Sequence, residues 1–183
     1  GYLGLINGKK SRTKNRILKQ NGIKTRYYGI NKKQESLTSN EEMALSAIKD
    51  CLLKSELVDK NIEFFATGTT QGDLPIPGFA SMVHGKANFD ECEIASHQSV
   101  CSASMMAIKN AYNNIKLGEK NNGLVCTSEF ASRLFKSSRF EKQNRPLSLQ
   151  EDFLRWMLSD GAGALLLENV PSKNKISLKI CDN

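Results

Sequence analysis

Ile94-Ala-Ser-His-Gln-Ser-Val-Cys101-Ser-Ala-Ser-Met-Met-Ala-Ile108 contains no Asp, Glu, Lys or Arg, in a chain of which 25% is charged. Its first half reads as a strand with its exit loop. Its second half reads as the buried start of a helix that runs to Leu117 and stops at Gly118. This places Cys101 in the first turn of that helix, where unpaired backbone N–H groups carry a positive partial charge. Such a field favours the thiolate over the thiol, and the same N–H groups suit an oxyanion. An arbitrary buried cysteine is more often a packing residue. Here Ser99, Ser102, Ala103 and Ser104 leave room around the sulfur that a plain core helix would fill.

Working outward from this segment, helix and strand patterns alternate. Ser11 to Gln20 is helix-prone and basic, and Asn21-Gly22 makes a turn. Ser39-Asn-Glu-Glu42 caps a helix with Met43, Ala44, Ala47, Ile48, Cys51 and Leu52 on one face. Asn61 to Thr67 is a buried strand that ends in the Gly68 to Asp73 loop, and Pro75 to Val83 leads through a loop into a short helix. Asn121 to Ser128 is another strand. Glu129 to Gln150 is polar and too long for a plain connection, which suggests a lid or cap. Phe153 to Glu168 reads as a glycine-rich turn followed by an apolar strand, and Ile176 to Ile180 begins one more. The alternation specifies an α/β layered architecture with a mostly parallel mixed sheet.

The 183 residues suffice for a substantial domain with its own core. No apolar run approaches the ~20 residues of a membrane helix. The five cysteines are odd in number and dispersed, with no metal-ligand spacing among them. They point to a reducing, cytoplasmic setting. The net charge of +7 is unevenly spread. Residues 1–34 hold ten of the 26 basic residues and no acid, leaving 16 basic against 19 acidic residues elsewhere. A second basic string comprises Arg133, Lys136, Arg139, Lys142 and Arg145. Such patches attract polyanions. No nucleic-acid-binding motif accompanies them, so the open readings are a solvated face, an acidic carrier protein or a phosphorylated thiol cofactor.

In this order, Asn21-Gly-Ile-Lys-Thr-Arg-Tyr-Tyr28, Ala66-Thr-Gly-Thr-Thr with Ile76-Pro77, the Cys101 helix and Ser159-Asp-Gly-Ala-Gly-Ala164 resemble the β-ketoacyl-[acyl-carrier-protein] synthase III family of thiolase-like condensing enzymes. The resemblance implies the N-terminal half of a two-half αβαβα fold. Residues 1–172 would form this half, with a cap insertion at about 129–152, and residues 173–183 would start the second half. It implies a decarboxylating Claisen condensation of an acyl primer with a malonyl thioester through an acyl-Cys101 intermediate, in fatty-acid or related synthesis. It assigns Asp160, Gly161 and Gly163 to a structural turn that approaches the cysteine helix. Ile76, Trp156, Met157 and Leu158 are assigned to the acyl pocket, Ile76 standing where relatives carry a bulky Phe that crosses a dimer interface.

The resemblance further implies no tightly bound cofactor. The substrate is a phosphopantetheine thioester, carried by acyl carrier protein or coenzyme A. Gln20 and Arg16 replace the Arg and Trp that contact the nucleotide in the better-known members, which tilts the reading toward the carrier protein. Lys19, Lys24, Arg26, Arg133, Lys136 and Arg139 are the expected docking cations, and the expected assembly is a homodimer without nucleic-acid or membrane partners. The family's catalytic His and Asn come from its other half. His84 and His97 therefore read as structural, and Gly1 to Ile6 reads as the end of a first strand, so a chain trimmed at both ends is expected to self-acylate at most. The alternatives are a hydroxymethylglutaryl-type or ester-forming transferase on the same fold, and a non-catalytic partner subunit.

Overall fold

The computed structural model describes residues 1–55, 61–141 and 145–181. Lys142, part of the expected basic string, lies outside the described residues. The chain divides into two compact units, one of residues 1–39 and 129–161, the other of residues 40–128 and 162–183.

The second unit holds the sheet. β1 (Phe64–Thr69), β2 (Glu93–Gln98), β3 (Asn122–Glu129) and β4 (Gly161–Glu168) lie in the order β2-β1-β3-β4. β1 runs parallel to both its neighbours, with Thr67 opposite Ser96 on one side and Cys126 on the other. The Asn169 amide, just past the end of β4, donates to the Asn121 carbonyl just before β3 (3.0 Å), so these two strands run antiparallel. The sheet is therefore mixed and mostly parallel, as the alternating pattern implies. Every residue of β1 is buried, as a central strand covered on both faces requires.

One face packs on α2 (Asn40–Lys54) and α3 (Phe79–Ala87), which bring Ala44, Ile48, Phe79, Ala80 and Val83 against Phe65, Leu124 and Cys126. The other packs on α4 (Ala103–Lys116), whose Ala107 and Ala111 meet Phe64, Ala66 and Val125. The helix starts are fixed by polar side chains from loops and strands. Both oxygens of Asp73 accept amides of α2, from Asn40 (3.0 Å) and Glu41 (2.8 Å). Ser96 of β2 accepts the Ala80 amide of α3 (2.9 Å).

The first unit contains α1 (Lys14–Gln20), α5 (Ser132–Phe135), a 3₁₀ turn (Ser137–Arg139) and α6 (Leu149–Met157). The expected cap segment thus contains two short helical turns and the start of α6. α6 begins with a capping box in which Ser148 and Glu151 satisfy each other's backbone amides. Two sequence expectations fail. Gly161 and Gly163 lie within strand β4 and do not form a turn before it. Ile176 to Ile180 forms no strand; Ile176 is 96% and Leu178 92% exposed, because their apolar alternation meets no neighbouring strand.

Candidate active site at the start of α4

Cys101 is exposed and lies in a turn just before Ser102, the N-cap of α4. It therefore precedes the helix and does not sit inside its first turn. Among the described residues the N-cap side chain does not cap this helix; the Ser102 hydroxyl hydrogen-bonds Ser99 (2.9 Å) instead. The first amides of a 14-residue helix thus remain without intrahelical or side-chain cap acceptors beside an accessible sulfur.

Glycine positions the helix start. A Cβ on Gly68, near the end of β1, would stand 2.8 Å from the Ala103 carbonyl oxygen and 2.9 Å from Ser104 Cα. Only the bare backbone of β1 allows α4 to begin this close to the sheet. Ala103, Ala107 and Ala111 continue the close contact along the helix, all buried. The Ser99 amide donates to the Thr69 carbonyl (3.3 Å), tying the turn that bears Cys101 to the end of β1.

The other thiols differ. Burial pushes Cys126 up to about 12, with a further contribution from Cys51. Burial likewise raises Cys51 and Cys92 above the ordinary thiol value. Cys181 is exposed. His97 on β2 bonds Asn110 of α4 (3.3 Å), and His84 bonds the Asp90 carbonyl (3.2 Å), while burial lowers the His97 pKa. Both partners fit structural roles.

Ile76, in the same unit as Cys101, is 82% exposed and joined to Pro77 by a cis bond. Trp156, Met157 and Leu158 belong to the other unit. Trp156 departs from the pocket role expected of it. It is buried, its Nε1 donates to Asp152 (2.9 Å), and its ring lies 4.8 Å from Lys14, 5.1 Å from Arg26 and 5.2 Å from Arg155. Cation–π contacts thus occupy the ring. Leu158 is exposed and Met157 half-buried.

Arg26 is a second correction. Its guanidinium donates to the carbonyls of Trp156 (2.6 Å) and Arg155 (3.2 Å) at the end of α6, and burial lowers its pKa. It caps a helix C-terminus and is not a free docking cation. Lys136 donates to the Gln34 carbonyl (3.0 Å), and Arg133 lies over Phe130 (5.3 Å). Lys19, Lys24 and Arg139 are exposed.

Asp160 fits the structural part expected of it. Buried in the first unit, it accepts from the Gly29 amide (2.6 Å), the Ser132 amide (2.7 Å) and the Ser132 hydroxyl. Gly161 and Gly163 do not: a Cβ on either would meet nothing within 4 Å, and the close approach to the cysteine helix is made by Gly68. Sequence reasoning missed this role of Gly68, although a glycine at the end of a buried strand is itself a sign of close backbone approach. It also missed Arg155, which is 2% exposed and donates to the carbonyls of Leu3, Gly4 and Phe135.

Comparison with solved structures identifies the fold of this layered α/β chain. The chain superposes on a tetronic acid condensing enzyme with TM-score 0.76 and 19% identity, covering 94% of this chain and 49% of the other. It superposes on the 3-oxoacyl-(acyl carrier protein) synthase III of Pseudomonas aeruginosa with TM-score 0.66 and 16% identity, covering 88% and 44%. The fold is that of the thiolase-like condensing enzymes.

Within that class the chain is similar to the β-ketoacyl-[acyl-carrier-protein] synthase III proteins. The family model of 3-oxoacyl-[acyl-carrier-protein] synthase III matches residues 97–181. The β-ketoacyl-[acyl-carrier-protein] synthase III of Ehrlichia ruminantium is 29% identical over 158 residues, which cover 86% of this chain and 44% of that protein. The chain thus spans about half the length of the curated relatives it matches. Among the described residues no helix is long and apolar enough to cross a membrane, and no cluster of side chains could hold a metal ion.

Proposed function

We propose that the chain is the cysteine-bearing half of a decarboxylating condensing enzyme of the synthase III type. The observation that carries this reading is the exposed Cys101 beside the uncapped amides of α4. The Cys101 thiolate attacks the carbonyl carbon of an acyl thioester. The tetrahedral oxyanion that forms is stabilised by amides of the helix start. Collapse breaks the bond to the phosphopantetheine sulfur, which leaves as a thiolate and takes up the proton first held by Cys101. A malonyl thioester then loses carbon dioxide. The resulting carbanion attacks the acyl-Cys101 carbonyl and expels the cysteine thiolate. The residues for this second step are expected from the family's other half.

Ile76, in the same unit as Cys101, is proposed to line the acyl site. Lys19, Lys24 and Arg139, with Arg133 and Lys136 beside them, are proposed to meet an acidic carrier protein, in a cytoplasmic setting. A homodimer is proposed through β2, an edge strand of the sheet that carries exposed Ile94 and is followed by exposed Val100, Met105 and Met106. Incubation with a short acyl thioester, followed by peptide mass mapping, tests the central step. Acyl mass should appear on Cys101 and be lost in Cys101→Ala. Acylation that persists in Cys101→Ala, or resides on Cys181, would refute the assignment.

A further inference from the structure

Asparagine is followed by glycine at three places in the chain, Asn7-Gly8, Asn21-Gly22 and Asn122-Gly123. The amide nitrogen of a residue without a side chain can reach the Cγ of the asparagine before it, so each pair could in principle close on itself. The fold treats the three very differently.

Asn122 is buried at the start of β3. Its Oδ1 accepts the Glu63 amide (3.0 Å) and its Nδ2 donates to the Asn61 carbonyl (2.9 Å). Asn21 is exposed but held at the end of α1. Its Nδ2 donates to the Ile17 carbonyl (2.8 Å), and the Gly22 amide donates to the Lys19 carbonyl (3.3 Å). In both pairs the reaction must wait for these bonds to open.

Asn7 has no such restraint. Ile6 and Lys9 form an isolated antiparallel bridge, the Lys9 amide donating to the Ile6 carbonyl (2.9 Å), and Asn7-Gly8 is the turn between them. Both turn residues have positive φ, 49° at Asn7 and 70° at Gly8, as in the mirror-image turns that favour this dipeptide. Both are exposed, and among the described residues neither the Asn7 side chain nor the Gly8 amide makes a hydrogen bond. Electrophile and nucleophile are therefore adjacent, unengaged and open to solvent.

We propose that Asn7 is a self-modification site, at which the chain converts an amide into isoaspartate on the wall of a basic cavity. The Gly8 nitrogen gives its proton to solvent base and bonds to Asn7 Cγ. The Cγ–Nδ2 bond breaks, and the nitrogen takes a proton from water and leaves as ammonia. Water then opens the cyclic imide. Cleavage between the Gly8 nitrogen and the main-chain carbonyl carbon of residue 7 gives isoaspartate, with the chain running through Cβ and Cγ. Cleavage between that nitrogen and Cγ gives aspartate. Either product places a carboxylate in the lining of a cavity of about 590 Å³ that Asn7 shares with Lys9, Lys10 and Arg12. Asp152, the acid already in that lining, is engaged by the Ser11 and Thr13 hydroxyls. The change lowers the net charge of +7 by one, and the added backbone carbon breaks the Ile6–Lys9 bridge. It is independent of the acyl-transfer reading.

The chain is aged in warm, mildly alkaline buffer, and acid gained at each pair is followed by peptide mass mapping, with fragmentation separating isoaspartate from aspartate. Asn7 should react about tenfold faster than Asn21, where two hydrogen bonds must open, and about a hundredfold or more faster than Asn122, which is released only with the sheet. In concentrated urea this protection is lost, and the three rates should converge to within about threefold. Asn7→Gln, which lengthens the side chain by one methylene and misplaces the amide carbon, should remove the acid from the first peptide with unchanged circular dichroism. Faster modification at Asn21 or Asn122 in buffer, a spread of rates in urea equal to that in buffer, or an Asn7 peptide that reacts only in urea would overturn the proposal.

Discussion

Replacing Gly68 with alanine is the sharpest perturbation of the candidate site, because it adds one methyl group without touching the sulfur. The new Cβ would lie 2.8 Å from the Ala103 oxygen and 2.9 Å from the Ala103 carbonyl carbon and Ser104 Cα. These are backbone atoms and cannot rotate away. The carbon contacts are roughly 0.6 Å or more short of optimal separation. Either β1 or the start of α4 must shift by about that amount, and overpacking of this kind costs about 1–3 kcal/mol. In a chain of 183 residues this lowers Tm by roughly 2–12 °C. The same shift moves the α4 amides relative to Cys101, and misplacement on this scale slows acylation by about tenfold. Scanning calorimetry and the rate of acyl mass gain on Cys101 read the two effects. Gly85→Ala is the internal control. A Cβ there meets nothing within 4 Å inside α3. It should gain about 0.5–1 kcal/mol from helix propensity and raise Tm by roughly 1–4 °C. A Gly68→Ala chain with unchanged Tm and unchanged acylation would show that the helix start is not fixed by this contact.

Two further outcomes follow from the first unit. Asp160→Asn places a donor where the Gly29 and Ser132 amides already donate, and should cost about 2 kcal/mol or more by urea denaturation; a loss below about 1 kcal/mol would contradict the bond network. Hydrogen bonds from Arg145, then from the Ser148 backbone, hold the Glu151 carboxyl down at about 2. A depressed carboxyl stabilises the fold above its unfolded pKa near 4.5, and this contribution is lost as pH falls through the folded value. Acid titration of Tm should therefore lose a component between these values, and Glu151→Gln should flatten it. An unaltered acid limb in Glu151→Gln would assign that loss to other groups.

What the sequence disclosed depended on whether the deciding contact was local. The β1, β2 and β3 patterns, the α4 helix and the placement of Cys101 near its start were legible, because uncharged runs and a Gly118 stop are local features. The capping box of α6 was equally local, as Ser148-Leu-Gln-Glu151, yet the surrounding polar composition obscured it as a loop. Arg155, Arg26 and Trp156 could not be read this way. Their positions follow from carbonyl groups and cations brought together by the fold, 129 and 130 residues apart along the chain for the bonds Arg26 makes. An arginine satisfied by three backbone carbonyls is indistinguishable in sequence from one on the surface. The Ile176 to Ile180 expectation failed for the converse reason: alternation marks a potential strand, and pairing requires a neighbour that the described chain does not supply.

The contrast among the five cysteines ties the fold to its chemistry. Cys126 sits at the centre of the sheet, where burial keeps its proton in place, so it contributes packing and little reactivity. Cys101 gains access by lying one residue before a helix cap, beyond the end of a parallel edge strand. Such a position would ordinarily be loose, since loop residues carry few buried contacts. Here the looseness is removed from behind: Gly68 and the alanines of α4 bring helix and central strand together, and Ser99 is bonded to the strand end. Rigidity is thus supplied by residues that have almost no side chain, and the space they leave unfilled keeps the sulfur and the helix amides open to a substrate. A nucleophile needs both properties at once, and a larger residue at either Gly68 or Ala103 would trade one for the other.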